Sequence, residues 1–285
     1  MNNYIGIDLG TTNSTISTFD GVNTQIWKSP EQNELTPSVI YIDKRSKYIG
    51  KRAIDNEIKK PGNTAKLFKR LMGTKTSIKF DNHDITMSPE ECSAEILKVI
   101  CRYLPEETRN DNEKGIVITV PAAFNQLQKE ATLKAAAIAN IGEVCLLQEP
   151  VAAVMSVLKS DNSDGTFIIY DLGGGTLDIA IAENIGGRVS LLGQGGISLC
   201  GGRDFDRKII EEIVKPWLLE NFELPENFWN QSDYKDLVKL TDWAVEIAKI
   251  ELSSQESTKI LLSEEEIEIK DLEEKDIFID IEIGR

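Results

Sequence analysis

The stretch FIIYDLGGGTLDIAIA, from Phe167 to Ala182, carries the residue types that phosphate chemistry requires. Gly173, Gly174 and Gly175 are consecutive. With no side chains at the turn, backbone N–H groups can close on a phosphate. Carboxylates bracket the turn at Asp171 and Asp178. Beside a phosphate they are repulsive unless a cation stands between, so the arrangement points to bound Mg2+. Apolar Phe167 to Tyr170, then alternation at Leu177, Ile179 and Ile181, predict strand, turn, strand. Taken alone, the pattern is better read as a plain β-hairpin with a loose glycine turn.

The N-terminus repeats the design. In YIGIDLGTTNSTISTF, Tyr4 to Phe19, placing Asp8 on Asp171 also aligns Ile5 with Ile168, Leu9 with Leu172, Gly10 with Gly173 and Ile16 with Ile179. Gly10, Thr11, Thr12 and Asn13 then supply N–H groups and hydroxyls at a second turn. Two such turns facing one another would clamp one phosphate chain, each offered by one of two similar lobes.

Other segments supply single candidates. Lys69 lies in the basic stretch AKLFKRLM (65–72) of an otherwise acidic chain. One reading is a helix with a solvated basic face, and the other places Lys69 on a phosphate. Ser88, Pro89 and Glu91 form a capping-box start for a helix. IVITV (116–120) reads as a buried strand ending at Pro121, and Asn125 caps a helix that Gly142 terminates. Val144 to Leu147 is a further strand, delivering Glu149 just before Pro150. Strand and helix in alternation predict a parallel α/β sheet, whose ligands sit at the carboxyl ends of strands. Glu149 occupies such an end, although a charge at a helix N-terminus explains it too. Gly201 and Gly202 open a helix running to about Asn221, an arrangement shared by anion sites and ordinary turns. Glu246, Lys249 and Ser253 fall on one stripe of a long helix from about Ser232 to Leu252. Alternation at Ile277, Ile279, Ile281 and Ile283 predicts a half-buried strand.

Composition sets bounds. The chain has 285 residues, a net charge of −15 and 41% hydrophobic residues. That is about two domains of a globular protein able to build a core. So acidic a surface repels nucleic acid and anionic membrane, and neither is expected as a partner. Any phosphate site must rest on local donors and a metal. Between Glu264 and Arg285 there are ten Asp/Glu against three Lys/Arg, a run expected to be solvated. Cys92, Cys101, Cys145 and Cys200 and the lone His83 do not make a zinc set. The cysteines read mostly as small core residues. No secretory signal precedes the first strand and no apolar run approaches the ~18 residues of a membrane span, so a cytoplasmic location is expected.

Together the segments GIDLGTTNS (6–14), LFKRLMG (67–73), VITVPAAFN (117–125), QEPVAA (148–153), DLGGGTLD (171–178), GGRDFD (201–206) and AKIELSS (248–254) resemble the nucleotide-binding domain of the seventy-kilodalton heat-shock chaperones, the DnaK type. The LFKRLMG form is most similar to the HscC-type branch. The resemblance implies the actin/hexokinase-like ATPase fold, α/β, with two lobes around a nucleotide cleft. Lobe I would be 1–162, with a peripheral insert at about 37–112. Lobe II would be 163–285, with its phosphate hairpin at 167–195 and a peripheral part at about 204–285. NSDG (162–165) marks the boundary. ATP or ADP, Mg2+ and K+ are the implied cofactors. Lys69, Glu149, Asp171, Thr176 and Asp8 form the implied catalytic set. Asp8 and Asp171 would hold Mg2+ through its water shell, and Asp178 a monovalent cation. Gly10, Thr11, Thr12 and Asn13 would face the phosphates opposite Gly173, Gly174, Gly175 and Thr176. Gly201, Gly202, Glu246, Lys249 and Ser253 would serve the adenosine side.

By the same resemblance, unfolded peptides, a J-domain co-chaperone and a nucleotide-exchange factor are expected partners. Departures bear on that coupling: Ala123 stands where the family has Tyr, Lys129 where it has Arg, and Cys145 where it has a basic residue. Arg203 replaces the Glu of the GGEDFD turn. The family's domain continues past the point matched by Arg285, so the resemblance implies a truncated domain, weak alone in binding and turnover. Two other classes share the features: a sugar-type kinase of the same fold, and a non-catalytic interaction protein.

Overall fold

The computed structural model describes residues 4–44, 46–57, 61–80, 85–111, 114–158, 163–198, 200–263 and 277–284. His83, Asn162 and much of the acidic run after Glu264 lie outside the described residues. Contacts divide the chain into two compact units, one within Met1–Glu57 and Gly62–Leu199, the other within Ile58–Pro61 and Cys200–Arg285.

The first unit is built on a mixed sheet. Strands β1 (Tyr4–Leu9), β2 (Asn13–Phe19), β3 (Thr24–Trp27), β4 (Gly115–Val120) and β5 (Val144–Gln148) stand in the order β5-β4-β1-β2-β3. β1, β4 and β5 run parallel, whereas β2 and β3 are antiparallel additions, so the sheet is mixed rather than purely parallel. The reason is local: a turn of three residues joins β1 to β2, too short for the crossover a parallel neighbour needs. Alternation buries Ile5, Ile7 and Leu9 of β1 on one face. Against this core lie helices α1 (Pro89–Cys101) and α2 (Gln126–Ala139), through Ile96, Leu97 and Ile100 and through Ala131, Ala135 and Ala136.

Both helix starts follow the sequence. The Ser88 side chain accepts from the Glu91 N–H, while the Glu91 carboxylate accepts from the Ser88 N–H at 2.7 Å. Asn125 and Gln128 make the same reciprocal pair. The end of α2 differs from expectation. Asn140, in the left-handed region at φ 55°, is the cap, and Gly142 at φ 107° turns the chain two residues later. Asn tolerates that conformation nearly as well as Gly, and it comes first.

The segment 65–72 is not a helix with a basic face. It forms a short strand at Thr64–Ala65 and a 3-10 turn at Phe68–Leu71. Leu67 enters that turn at φ 58°, an unusual conformation for a residue with a Cβ. Phe68 and Met72 are then buried in the core, and Lys69 is buried with them, 6% exposed.

A second sheet of the same unit contains β6 (Gly165–Leu172), β7 (Thr176–Ile185) and β8 (Arg188–Ser198), all antiparallel. Helix α3 (Glu149–Leu158) covers one face, where Val154 and Leu158 meet Phe167, Ile169, Ala182 and Val189. This packing groups the hairpin sheet with the first unit, so the contact division does not coincide with the 162/163 boundary drawn from the sequence.

The second unit has its own core. Helices α4 (Gly202–Ile209), α5 (Lys215–Asn221) and α6 (Lys235–Glu251) pack with a hairpin of β9 (Ser257–Leu262) and β10 (Ile279–Gly284). The helix predicted to run to Asn221 is continuous but passes through a π turn at Ile210–Val214. Pro216 has no N–H to give the preceding turn, which opens the ladder there. In β10, Ile279, Ile281 and Ile283 are buried in strict alternation, as the sequence predicts. Of the cysteines, Cys92 is buried and Cys145 is exposed on β5. No helix among the described residues is long and apolar enough to cross a membrane.

Ser88→Ala and Asn125→Ala are each expected to remove about 1 kcal/mol, the usual worth of an N-cap. Thermal melts should show a fall of a few degrees for each variant. No change would mean that neither capping box holds its helix.

Candidate active site

The carboxyl ends of β1, β4 and β5 point to one place, and Asp8, Gly10, Thr119, Pro121 and Glu149 are found there. Thr11, Thr12 and Asn13 of the first turn line the same cavity, as do Asp171, Gly173, Gly174 and Thr176 of the second. Its volume is about 470 Å3. The repeated turns therefore share one chamber within the first unit.

Their approach depends on missing side chains. A Cβ built on Gly174 would collide with Oγ1 of Thr12. Another on Gly10 would collide with the carbonyl oxygen of Asn13. The second turn closes by a hydrogen bond from the Gly173 N–H to the Thr176 carbonyl, 2.9 Å. Arg70 fastens it from behind, donating to the carbonyl of Gly175 at 2.7 Å and of Gly174 at 3.5 Å. Arg70 and the Gly173–Thr176 bond thus take up carbonyls and one N–H of the turn within the protein, while Gly174 still lines the cavity. Oγ1 of Thr12 is buried with no hydrogen-bond partner among the described residues. An orphaned hydroxyl on a chamber wall suits a polar ligand.

Among the described residues, one cation lines the chamber. Nζ of Lys69 lies 2.9 Å from Oε1 of Glu149 and 5.7 Å from the centroid of the Phe124 ring. Carboxylates crowd the other side. Asp171 is the direct cross-strand partner of Asp178, a pairing that is repulsive when both are charged. Burial, then Asp178, then Asp8 raise the pKa of the Asp171 carboxyl, against a lowering pull from Lys69. Burial likewise raises Glu149, opposed by Lys69 and reinforced by Asp8 and Asp171. Oδ1 of Asp8 accepts from Oγ1 of Thr119 at 3.0 Å.

This donor set fits a hard divalent cation: oxygen ligands only, and mutual repulsion that a cation relieves. Among the described residues, no group of three or more His, Cys, Asp or Glu side chains converges as a direct metal cluster. Asp178 is 9% exposed and is not among the residues lining the chamber.

The adenosine-side candidates lie in the second unit. There the Gly201 N–H donates to Asp204 at the start of α4. Nζ of Lys249 donates to the Gly202 carbonyl at 2.9 Å and pairs with the buried Asp206 at 2.6 Å. Glu246 pairs with Arg203 at 3.3 Å. Gly202, Glu246 and Lys249 thus gather around the start of α4. Ser253 follows α6 in a turn, with its N–H donating to the Ile250 carbonyl at 3.0 Å.

Thr119, Arg70 and Phe124 were not among the sequence candidates. Thr119 is an ordinary residue of the predicted 116–120 strand until register puts it opposite Asp8. Arg70 sits next to Lys69 in sequence, yet only the tertiary fold brings it to Gly175.

A mixed α/β domain with two glycine turns meeting over parallel strand ends belongs to the actin/hexokinase-like class of ATPase folds. Comparison with known proteins narrows this. A family model described as Hsp70 protein matches residues 4–86 and 74–283. The chain belongs to the Hsp70 family. It is 37% identical over 259 residues to a chaperone protein DnaK from each of two strains of Halobacterium salinarum, covering 90% of this chain. With a chaperone protein dnaK of Thalassiosira pseudonana the identity is 34% over 285 residues, 92% of this chain. The chain spans 40% of the length of the first two relatives and 46% of the third.

Asp171→Asn removes one of two facing carboxylates. It should raise the melting temperature of the ligand-free protein in EDTA by a few degrees. A fall would mean that the carboxylate stabilises the empty chamber instead of straining it. Gly174→Ala should destabilise by about 1–3 kcal/mol through overpacking against Thr12. Pairing it with Thr12→Ser should leave most of that loss in place, because the collision is with the hydroxyl oxygen.

Proposed function

We propose that this chain is the nucleotide-binding ATPase part of a DnaK-type chaperone, taking ATP or ADP with Mg2+ and hydrolysing ATP. The observation that carries the reading is Lys69, a buried ammonium in the one chamber that both glycine turns line. We keep two lobes, 1–162 and 163–285, as part of this proposal. The three DnaK relatives named above are chaperones by description, which supports peptide substrates for the whole protein.

Hydrolysis of a phosphoanhydride needs an aligned water and neutralised charge more than covalent chemistry. Lys69 would turn from Glu149 toward the terminal phosphate and offset the charge its oxygens gain. Glu149 would accept a hydrogen bond from the attacking water and so fix its direction. Backbone N–H groups of Gly10, Thr11, Thr12 and Asn13, and of Gly174 and Gly175, would donate to the phosphate oxygens, with Gly173 and Thr176 closing the second turn through their mutual bond. The hydroxyls of Thr12 and Thr176 would add to that set. Asp8 and Asp171 would hold Mg2+ through its waters, and the ion supplies neutralisation of the phosphate charge. Asp178, at the edge of the carboxylate group, would bind K+. Gly201, Gly202, Glu246, Lys249 and Ser253 would serve the adenosine.

The nucleotide cycle would control binding of unfolded peptides, with a J-domain co-chaperone and a nucleotide-exchange factor setting its pace. Ala123, Lys129 and Cys145 bear on that coupling and leave the chamber untouched, as none of them lines it.

In the full-length protein, Lys69→Ala should slow single-turnover ATP hydrolysis by about a hundredfold, the cost of one charge stabiliser. Affinity for Mg·ADP should change by no more than a few fold. An unaltered rate would remove Lys69 from the reaction. Addition of a J-domain protein and an unfolded peptide should accelerate wild-type turnover, and a panel of sugars should not be phosphorylated.

A further inference from the structure

A second cavity, about 520 Å3, lies in the first unit and shares no residue with the active-site chamber. It forms where α1 and α2 both end, at Cys101 and Ala139, beside the start of β1. Its lining is unlike the rest of this chain. Among the described residues, Lys98, Arg102, Arg109 and Lys114 line it with four cations, and no carboxylate does. Ile5, Leu104 and Ile141 provide an apolar floor.

Part of that charge has a structural use. Lys98 pairs with Glu95 at 3.0 Å, and Nζ of Lys114 donates to the carbonyls of Arg109 and Asp111. Each helix C-terminus carries about half a negative charge, which nearby cations offset. Subtracting the Glu95 pair and both helix ends from four cations still leaves about two positive charges among the described residues. Among the described residues, Arg102 and Arg109 have no ion-pair partner, and both are exposed at the rim. Burial raises the pKa of the lining Cys101 thiol to about 11, and Lys114 and Arg109 nearby pull the other way. In a chain of net charge −15, a cavity with this balance is not an average piece of surface.

We propose that this cavity binds a small organic dianion, a phosphate monoester on a compact apolar body, with Arg102 and Arg109 taking the phosphate and the Ile5–Leu104–Ile141 floor taking the body. Guanidinium groups match phosphate oxygens in paired hydrogen bonds. The volume is that of an ordinary small-molecule site. The amides of Asn110 and Asn140, which also line it, can donate to the remaining oxygens.

The test uses the 285-residue chain labelled at isoleucine methyls, with phenyl phosphate as the probe. The methyls of Ile5 and Ile141 should shift saturably. Inorganic phosphate should bind about tenfold more weakly or worse, since it lacks the body that the floor would cover. The Arg102→Ala/Arg109→Ala double variant should lose about tenfold in affinity or more. Arg109→Gln alone, a milder change at an exposed position, should lose less in the same direction. Lys69→Ala should bind the probe here with unchanged affinity, which separates this cavity from the nucleotide chamber. Absence of a saturable shift, equal affinity for inorganic phosphate, or wild-type affinity in the arginine variants would each overturn the proposal.

Discussion

Two glycine turns occupy one chamber wall to wall only because Gly174 has no side chain to meet Thr12. This close approach is the constraint on which the rest depends. It decides how near the backbone donors of the first turn stand to those of the second. It also buries Oγ1 of Thr12 without a hydrogen-bond partner among the described residues. Arg70 maintains the arrangement from the far side, because its bonds to the Gly174 and Gly175 carbonyls set the peptide planes. Lys69 and Arg70, adjacent in sequence, divide the work: one charge faces the chamber and the other braces its wall.

Crowded charge is the second organising fact. Asp8, Asp171, Asp178 and Glu149 influence one another, with Lys69 as the counterweight. Such a group is costly when empty, and that cost becomes binding free energy for a cation and its anionic partner. The global field of an acidic chain opposes a polyphosphate, so under the proposed function any affinity would come from this local balance. The second unit solves a related problem differently. Arg203, which departs from the family's Glu, pairs with Glu246, Asp206 and Asp242, and Lys249 holds Asp206. Opposite charges are matched there within the protein, around the start of α4.

The cationic cavity at the ends of α1 and α2 lies apart from both. The spacing of Lys98, Arg102, Arg109 and Lys114 along the chain looks like ordinary surface charge on a helix and the loop after it. Only the return of α2 to the start of β1 brings Ile141 and Asn140 alongside and turns a basic stretch into a lined hollow.

By itself the sequence determined the local events. The capping boxes at Ser88 and Asn125, the strands 116–120 and 277–283, and both glycine turns follow from side-chain chemistry within a few residues, so they are legible without a fold. The matched pattern around Asp8 and Asp171 made a chamber shared by both turns foreseeable. Tertiary structure alone decided what depends on partners distant in the chain. It made 65–72 a buried 3-10 turn instead of a basic helix, because core burial of Phe68 and Met72 outweighs the helical pattern of a short segment. It placed Thr119 on Asp8 through strand register and Arg70 on Gly175 through packing. It also grouped the 165–198 sheet with the first unit, through an apolar contact with α3 that no composition break announces. Caps and turns are settled by neighbours in sequence, whereas register, burial and charge balance are settled by whatever the folded chain brings close.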